Sequence, residues 1–461
     1  VTAVRPAEEP ATTAPARRRV GRAAFGLLLV LVGAALAPGL SVGDLDRAAW
    51  CFVLVWTGCL LLLSSRHRDG FLAPAGLYLV VFGLFHGGLL VTVAIRGDAG
   101  LVVPLAGAWI YGPTIPAVTQ LCLFAMAAFT GGVLLARRGA ADERDEDAEQ
   151  ASGRIGTVGL GLGGIGGLAF VAAVAAGGGL SGSYDALFAA SQGSALLTYG
   201  VLMVGLGVVF AVVGTPTQRR LGLTGFALFA LIGLPLGMRG PVLFLAVVVL
   251  AVEVRRGRRI HPAVVLLAGL AVLVLVGVVR ETRAEGPAAI VRGDWADAPA
   301  DAVSEMGYSL YPSVIVHQWH AAGEPYRHGT TLVAVPLRYA ERLTGEVPPV
   351  DDDRLFNVEM MQRVGAVGGS PVAEGYHNFG TLGVVGLLGA VGLVIGLLDR
   401  RPRSAASSAL LGVVLLPLMI DVRNSFAPVL PQIVLGLVFL GIALAMPRES
   451  RADRVRRSLV R

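Results

Sequence analysis

Apolar runs bounded by short arginine-bearing connections make up most of this chain. A helix needs about 20 mostly apolar residues to cross roughly 30 Å of hydrocarbon. About twelve candidate runs can be read, at 23–41, 48–64, 71–94, 115–136, 155–178, 195–214, 221–236, 240–254, 261–279, 373–398, 406–421 and 427–446. The exception is 280–372, a polar stretch too long for a plain connection. Inside it, TLVAVPLRYAERL (331–343) places Leu332, Val335, Tyr339 and Leu343 on one helical face and Arg338 and Arg342 on another. That pattern predicts an amphipathic helix lying along a membrane interface. DRLFNVEMMQRV (353–364) predicts a second helix.

Composition narrows the class. Hydrophobic residues at 54% and charged residues at 15% of 461 positions exclude a set of soluble domains. The expected architecture is an all-α polytopic membrane protein of about 12 transmembrane helices with one long, late extracytoplasmic loop. Its parts are a basic cytoplasmic tail (1–22), an N-terminal bundle of about nine spans (23–279), the loop (280–372), the C-terminal spans (373–446) and a second basic tail (447–461). The first span, preceded by an arginine cluster and followed by others, reads as an uncleaved helix.

Charge then sets the orientation. All 38 basic residues are arginine, a coding bias rather than a nucleic-acid signal. With both termini cytoplasmic, 26 arginines fall on the inside and only Arg47, Arg96, Arg239 and Arg423 on the outside, leaving out the long loop. The positive-inside rule therefore predicts cytoplasmic termini and an external loop. Cys51, Cys59 and Cys122 lie in predicted spans and suggest neither disulfides nor zinc. The acidic run at 143–150 reads as a solvated linker. GLGLGGIGG (159–167) lacks the strand context of a dinucleotide site, and its four-residue glycine spacing instead predicts close helix packing.

The candidate chemistry collects at the outer level. Arg239, in a turn bracketed by Pro235 and Pro241, joins Arg280, Arg283 and Arg423 near outer span ends. Snorkelling to headgroups is the bland reading; a shared anionic ligand is the functional one, since guanidinium suits bidentate phosphate binding. Glu374, Tyr376, His377 and Asn378 stand where a span begins. Glu374 could merely complement a helix dipole, or either Glu374 or His377 could act as a general base. Asp421 adds an acid at the same level. His317 and His320 have metal-like spacing without an evident third ligand, and Asp351–Asp353 reads as a solvated turn, so no metal or cofactor is expected. Loop aromatics, Trp295, Tyr308, Tyr311, Trp319, Tyr326 and Tyr339, suit sugar stacking or an interfacial belt.

Three stretches carry a family resemblance: Gly237-Met-Arg-Gly240, EPYRHGTTLVAVPLRYAERL, and SPVAEGYHNFGTLGVVGLLGAVG with its Asn378-Phe-Gly380. The chain resembles the Wzy-type O-antigen polymerases, the oligosaccharide repeat-unit polymerases of bacterial surface polysaccharides. The resemblance covers the C-terminal half, and the loop departs from it at Gly345-Glu-Val-Pro-Pro349 and the acids that follow. It implies a GT-C-like, metal-independent glycosyltransferase in the cytoplasmic membrane. Such an enzyme moves a glycan from a polyprenyl-diphosphate carrier to a lipid-linked repeat unit, alongside a flippase and a chain-length regulator. Arg239, Arg280 and Arg283 would then hold the diphosphate, and Glu374 or His377 would serve as base. Arg338 and Arg342 would contact acceptor or carrier, with Tyr376, Asn378 and Arg423 as further substrate contacts. An O-antigen-ligase-type transferase, a mannosyltransferase using a polyprenyl-phosphate donor and a glycan exporter or flippase are the rival readings.

Overall fold

The computed structural model describes residues 13–41, 43–67, 69–97, 109–136, 148–176, 195–234, 236, 238–285, 298–349 and 351–447. The acidic linker from 143 to 147, Pro235, Gly237, Trp295, the first twelve residues and the tail from 448 lie outside them. Within these residues every regular element is a helix.

Each predicted apolar run falls on a helix: α1 (Thr13–Leu36), α2 (Leu45–Arg66), α3 (Pro74–Arg96), α4 (Ile115–Leu135), α5 (Ala148–Ala176), α6 (Ala195–Val213), α7 (Pro216–Gly233), α8 (Arg239–Arg255), α9 (Pro262–Glu285), α14 (Pro371–Asp399), α15 (Ala405–Asp421) and α16 (Val429–Ala445). Among the described residues seven helices are long and apolar enough to cross a membrane. The protein is thus a helical, membrane-embedded one. The glycine run acts through packing. A Cβ built on Gly159 would lie 2.5 Å from the Ala211 nitrogen, and one on Gly166 would lie 2.7 Å from the Gly200 carbonyl oxygen. These positions let α5 and α6 touch backbone to backbone.

The stretch after α9 carries the two predicted helices, as α12 (Thr330–Leu343) and α13 (Phe356–Arg363), and two further ones ahead of them, α10 (Ala298–Gly307) and α11 (Tyr311–Ala321). α10 and α11 sink into the bundle. A Cβ on Gly88, inside α3, would sit 2.0 Å from the Val303 carbonyl oxygen of α10. Ala302, Leu310, Val314 and Val316 are buried.

One expectation needs correction, the predicted span at 373–398. α14 is two helices joined at Phe379 (φ −143°, ψ 21°) and Gly380 (φ 62°, ψ −148°). Residues eight apart in one straight helix stand about 12 Å apart. Here a Cβ on Gly375 would lie 3.0 Å from the carbonyl oxygen of Gly383. The chain therefore reverses: 371–378 is a short helix folded back against the longer helix that follows Gly380. Only glycine adopts the Gly380 geometry without strain, and two small residues let the arms close.

Candidate functional site

The site forms where the tip of that hairpin meets α11, α12 and α13. Its lower end is pinned by Ser370, the N-cap of α14, whose Oγ accepts from the Val372 and Ala373 amides at 3.1 and 3.3 Å. The same hydroxyl donates to Nε2 of buried His86 at 2.8 Å, while His86 Nδ1–H donates to the Phe82 carbonyl at 3.2 Å. All these groups are satisfied in one tautomer.

The reversal at Phe379-Gly380 frees backbone carbonyls that buried structure must satisfy. The loop ahead of α12 does this: the Arg327 and His328 amides donate to the His377 and Asn378 carbonyls, each at 3.0 Å. Asn378 Oδ1 accepts from the Gly329 amide at 2.8 Å, and its Nδ2 donates to Thr331 Oγ1 at 2.7 Å. Thr331 in turn donates to Glu374 Oε1 at 2.7 Å, and Glu374 Oε2 accepts from the Phe426 amide at 2.7 Å. Glu374 is fully buried. Both of its oxygens are engaged, so it ties the hairpin to α12 and to the turn between α15 and α16. Asn378 has the same structural character.

His377 has different company. Its Nδ1 lies 3.0 Å from His320 Nε2, and its Nε2 lies 3.0 Å from Glu359 Oε2. Glu359 Oε1 accepts from Arg327 Nη2 at 2.5 Å and from Arg363 Nη1 at 3.2 Å. Arg363 also pairs with Glu324 and lies 3.5 Å over the Trp319 ring. Burial alone would raise the Glu359 carboxyl, but the bonds and charges of His377 and Arg327 outweigh it and hold it down at about 2. Burial, and then the neighbouring His377, push His320 below the usual histidine range, partly countered by its bond to the Glu324 carbonyl. Aromatic rings wall the cluster: His320 stacks on Tyr326 with centroids 4.4 Å apart, and His317 stacks on Tyr376 at 5.3 Å.

The other predicted residues are distributed around this centre. Arg239, at the first turn of α8, pairs with Glu305 of α10 at 2.5 Å. Arg280 and Arg283 lie in the last two turns of α9, and their side chains are outside the described set. Arg338 does not share a solvent face with Arg342. It turns inward to Asp352 at 2.6 Å, while Arg342 is exposed. Arg354 completes that cluster with a two-pronged bond to Glu341 at 2.5 and 2.9 Å. Asp352, bonded by Arg354 and Arg338, is held down at about 2. The predicted face of α12 shifts accordingly: Thr331 and Ala334 are buried, and Val333, Leu337, Tyr339 and Leu343 are exposed. Arg423 is half-buried, and its carbonyl accepts from the Gly369 amide at 3.3 Å. Asp421 is fully buried.

Sequence reasoning missed Arg327, Glu359, Arg363 and Thr331. Arg327 stands inside the EPYRHG motif, which was the available signal; Glu359 and Arg363 share one helical face by their i,i+4 spacing. His317 and His320 do not face one ligand, since one stacks on Tyr376 and the other bonds His377. Among the described residues no cluster of three or more His, Cys, Asp or Glu could hold a metal ion. Comparison with family models, curated proteins and solved structures finds no match to this chain.

Proposed function

We propose that this protein is a metal-independent glycosyltransferase of the repeat-unit polymerase kind, moving a glycan from a polyprenyl-diphosphate to a hydroxyl of a lipid-linked oligosaccharide. In this reading the twelve apolar helices cross the cytoplasmic membrane in a GT-C-like arrangement, with both termini inside and the site at the outer face. One juxtaposition carries the reading. A cluster of histidines, guanidinium groups and aromatic rings lies next to the start of α12, which exposes Val333, Leu337, Tyr339 and Leu343. A lipid-linked sugar needs these together: an apolar edge to meet the carrier at the membrane, rings to stack on the sugar, and titratable groups to move a proton.

Departure of the diphosphate needs preorganised positive charge. Arg239 pairs with Glu305 of α10, and α9, which carries Arg280 and Arg283 in its last two turns, packs against α10; we assign the diphosphate to these arginines, with Glu305 holding Arg239 between turnovers. Arg342 and Arg423 serve the carrier or acceptor. The base lies on the histidine side, because both oxygens of Glu374 are already occupied. Purified protein in lipid nanodiscs, given lipid-linked repeat units, should build a ladder of chain lengths in the presence of a chelator. Arg239→Ala should lose that ladder. Repeat units that stay single with the intact protein would overturn the reading.

A further inference from the structure

We propose that His320 and His377 share a single proton and act as one acid–base unit, with His320 as the end that meets substrate. Hydrogen-bond bookkeeping carries the first half. The chain of contacts runs from the Glu324 carbonyl to His320 Nδ1 at 2.9 Å, from His320 Nε2 to His377 Nδ1 at 3.0 Å, and from His377 Nε2 to Glu359 Oε2 at 3.0 Å. Both ends are oxygens with no proton to give. Three contacts need three protons, and two neutral imidazoles supply only two. The closed chain therefore contains one imidazolium.

Arg327 competes for the outer nitrogen of this chain. Arg327 Nε also approaches His377 Nε2, at 3.3 Å. The nitrogen cannot accept from it while donating to the nearer carboxylate, and Glu359 has no other donor on Oε2 among the described residues. The charged groups facing the pair are Glu359, Arg327 and Arg363, with Glu324 paired to Arg363; Asp353 is an exposed outer partner of Arg327, 3.6 Å away. Glu359 Oε2 is the carboxylate oxygen that faces an imidazolium at His377. Tyr326, Tyr376, His317 and Trp319 supply the remaining faces as rings.

Loss of the shared proton changes the open end. His377 keeps its Nε2–H on Glu359, and His320 keeps its Nε2–H on His377. His320 Nδ1 is then a lone pair against the Glu324 carbonyl, a contact that repels, so the ring is free to meet a hydroxyl. The use of that hydroxyl rests on the transfer reading above. The acceptor O–H proton goes to His320 Nδ1 and the His320 Nε2 proton passes to His377. The oxygen bonds the anomeric carbon as its bond to the diphosphate breaks, the electron pair leaving with the diphosphate. The unit ends with three protons, the closed form, and discharges one to water. His377 and Glu359 are positioning residues in this scheme.

Histidine ¹⁵N NMR on the full chain in nanodiscs, paired with the pH profile of transfer, tests the proposal. Near neutral pH the intact protein should show one imidazolium that His320→Gln removes, because the glutamine amide can donate to His377 Nδ1 without an added proton. His320→Gln should also slow transfer by about a hundredfold or more. Glu359→Gln should move the acidic limb of the profile to lower pH, because the imidazolium loses its counter-ion; a purely structural role would lower the rate and leave the limb in place. Two neutral rings in the intact protein, or transfer by His320→Gln within a few-fold of normal, would overturn the proposal. An imidazolium lost in His320→Gln, in an intact protein that transfers no glycan, would instead sink the transfer reading and leave the shared proton standing.

Discussion

Thr331 joins Glu374 and Asn378 through one hydroxyl, so its loss leaves buried Glu374 Oε1 without its donor and one Asn378 Nδ2–H without its acceptor, the other staying on the Glu374 carbonyl. An unsatisfied buried group costs about 1–3 kcal/mol. Thr331→Val should accordingly lower the thermal midpoint in detergent, and Thr331→Ser should restore most of it; an unchanged midpoint for the valine variant would mean that Glu374 is held by something else. Acid stability follows from the carboxylates. Asp352 and Glu359 titrate near 2 when folded, against ordinary values of 3.8 and 4.5. Because the folded values are depressed, their contribution is complete above the ordinary values and is lost as pH falls through the folded ones. Stability should decline between about pH 4.5 and 2, and Arg354→Ala should flatten that decline, as melts at stepped pH would record. Little of this was legible beforehand. His320 and His377 stand 57 positions apart, and nothing local links Arg239 to Glu305. Glu374 was visible as an acid at a helix start, but a chain pattern cannot tell a base from a tie.

Helix positions were readable element by element, because the hydropathy that drives a segment into lipid is also what marks it. The fold-back in α14 was not, since its short first arm, with Glu374, His377 and Asn378, runs without a break into a long apolar second arm and a hydropathy window takes both as one span. Asn378-Phe-Gly380 was the one cue, an αL-tolerant pair amid apolar residues. Gly380→Ala tests the hairpin. The new methyl would be strained at φ 62° and would lie 3.1 Å from the Tyr326 hydroxyl. Strain of this kind costs about 1–3 kcal/mol, so the variant should melt several degrees lower while keeping its helix content by circular dichroism. Equal stability would argue against the reversal. α12 shows the opposite case: its amphipathic period was plain from the start, and the structure turned the face by placing Arg338 against Asp352.

At the scale of the whole molecule, orientation and activity stand together. Cys51, Cys59 and Cys122 are buried, so single cysteines can be added on a quiet background. Glu346→Cys should react with an impermeant maleimide from outside intact cells, and Arg258→Cys only after lysis; the reverse pattern would invert the topology. The long polar stretch stands out by composition. Its folding into four helices, two of them sunk in the bundle, depends on contacts between distant segments such as Gly88 with Val303, which no local pattern carries. The most direct test of the central claim is a size profile of surface polysaccharide and lipid-linked oligosaccharide in cells lacking this protein. Polymerisation predicts loss of polymer with single repeat units accumulating on the outer face. Full-length lipid-linked chains, or repeat units trapped on the cytoplasmic face, would contradict it, the first pointing to a ligase and the second to a flippase.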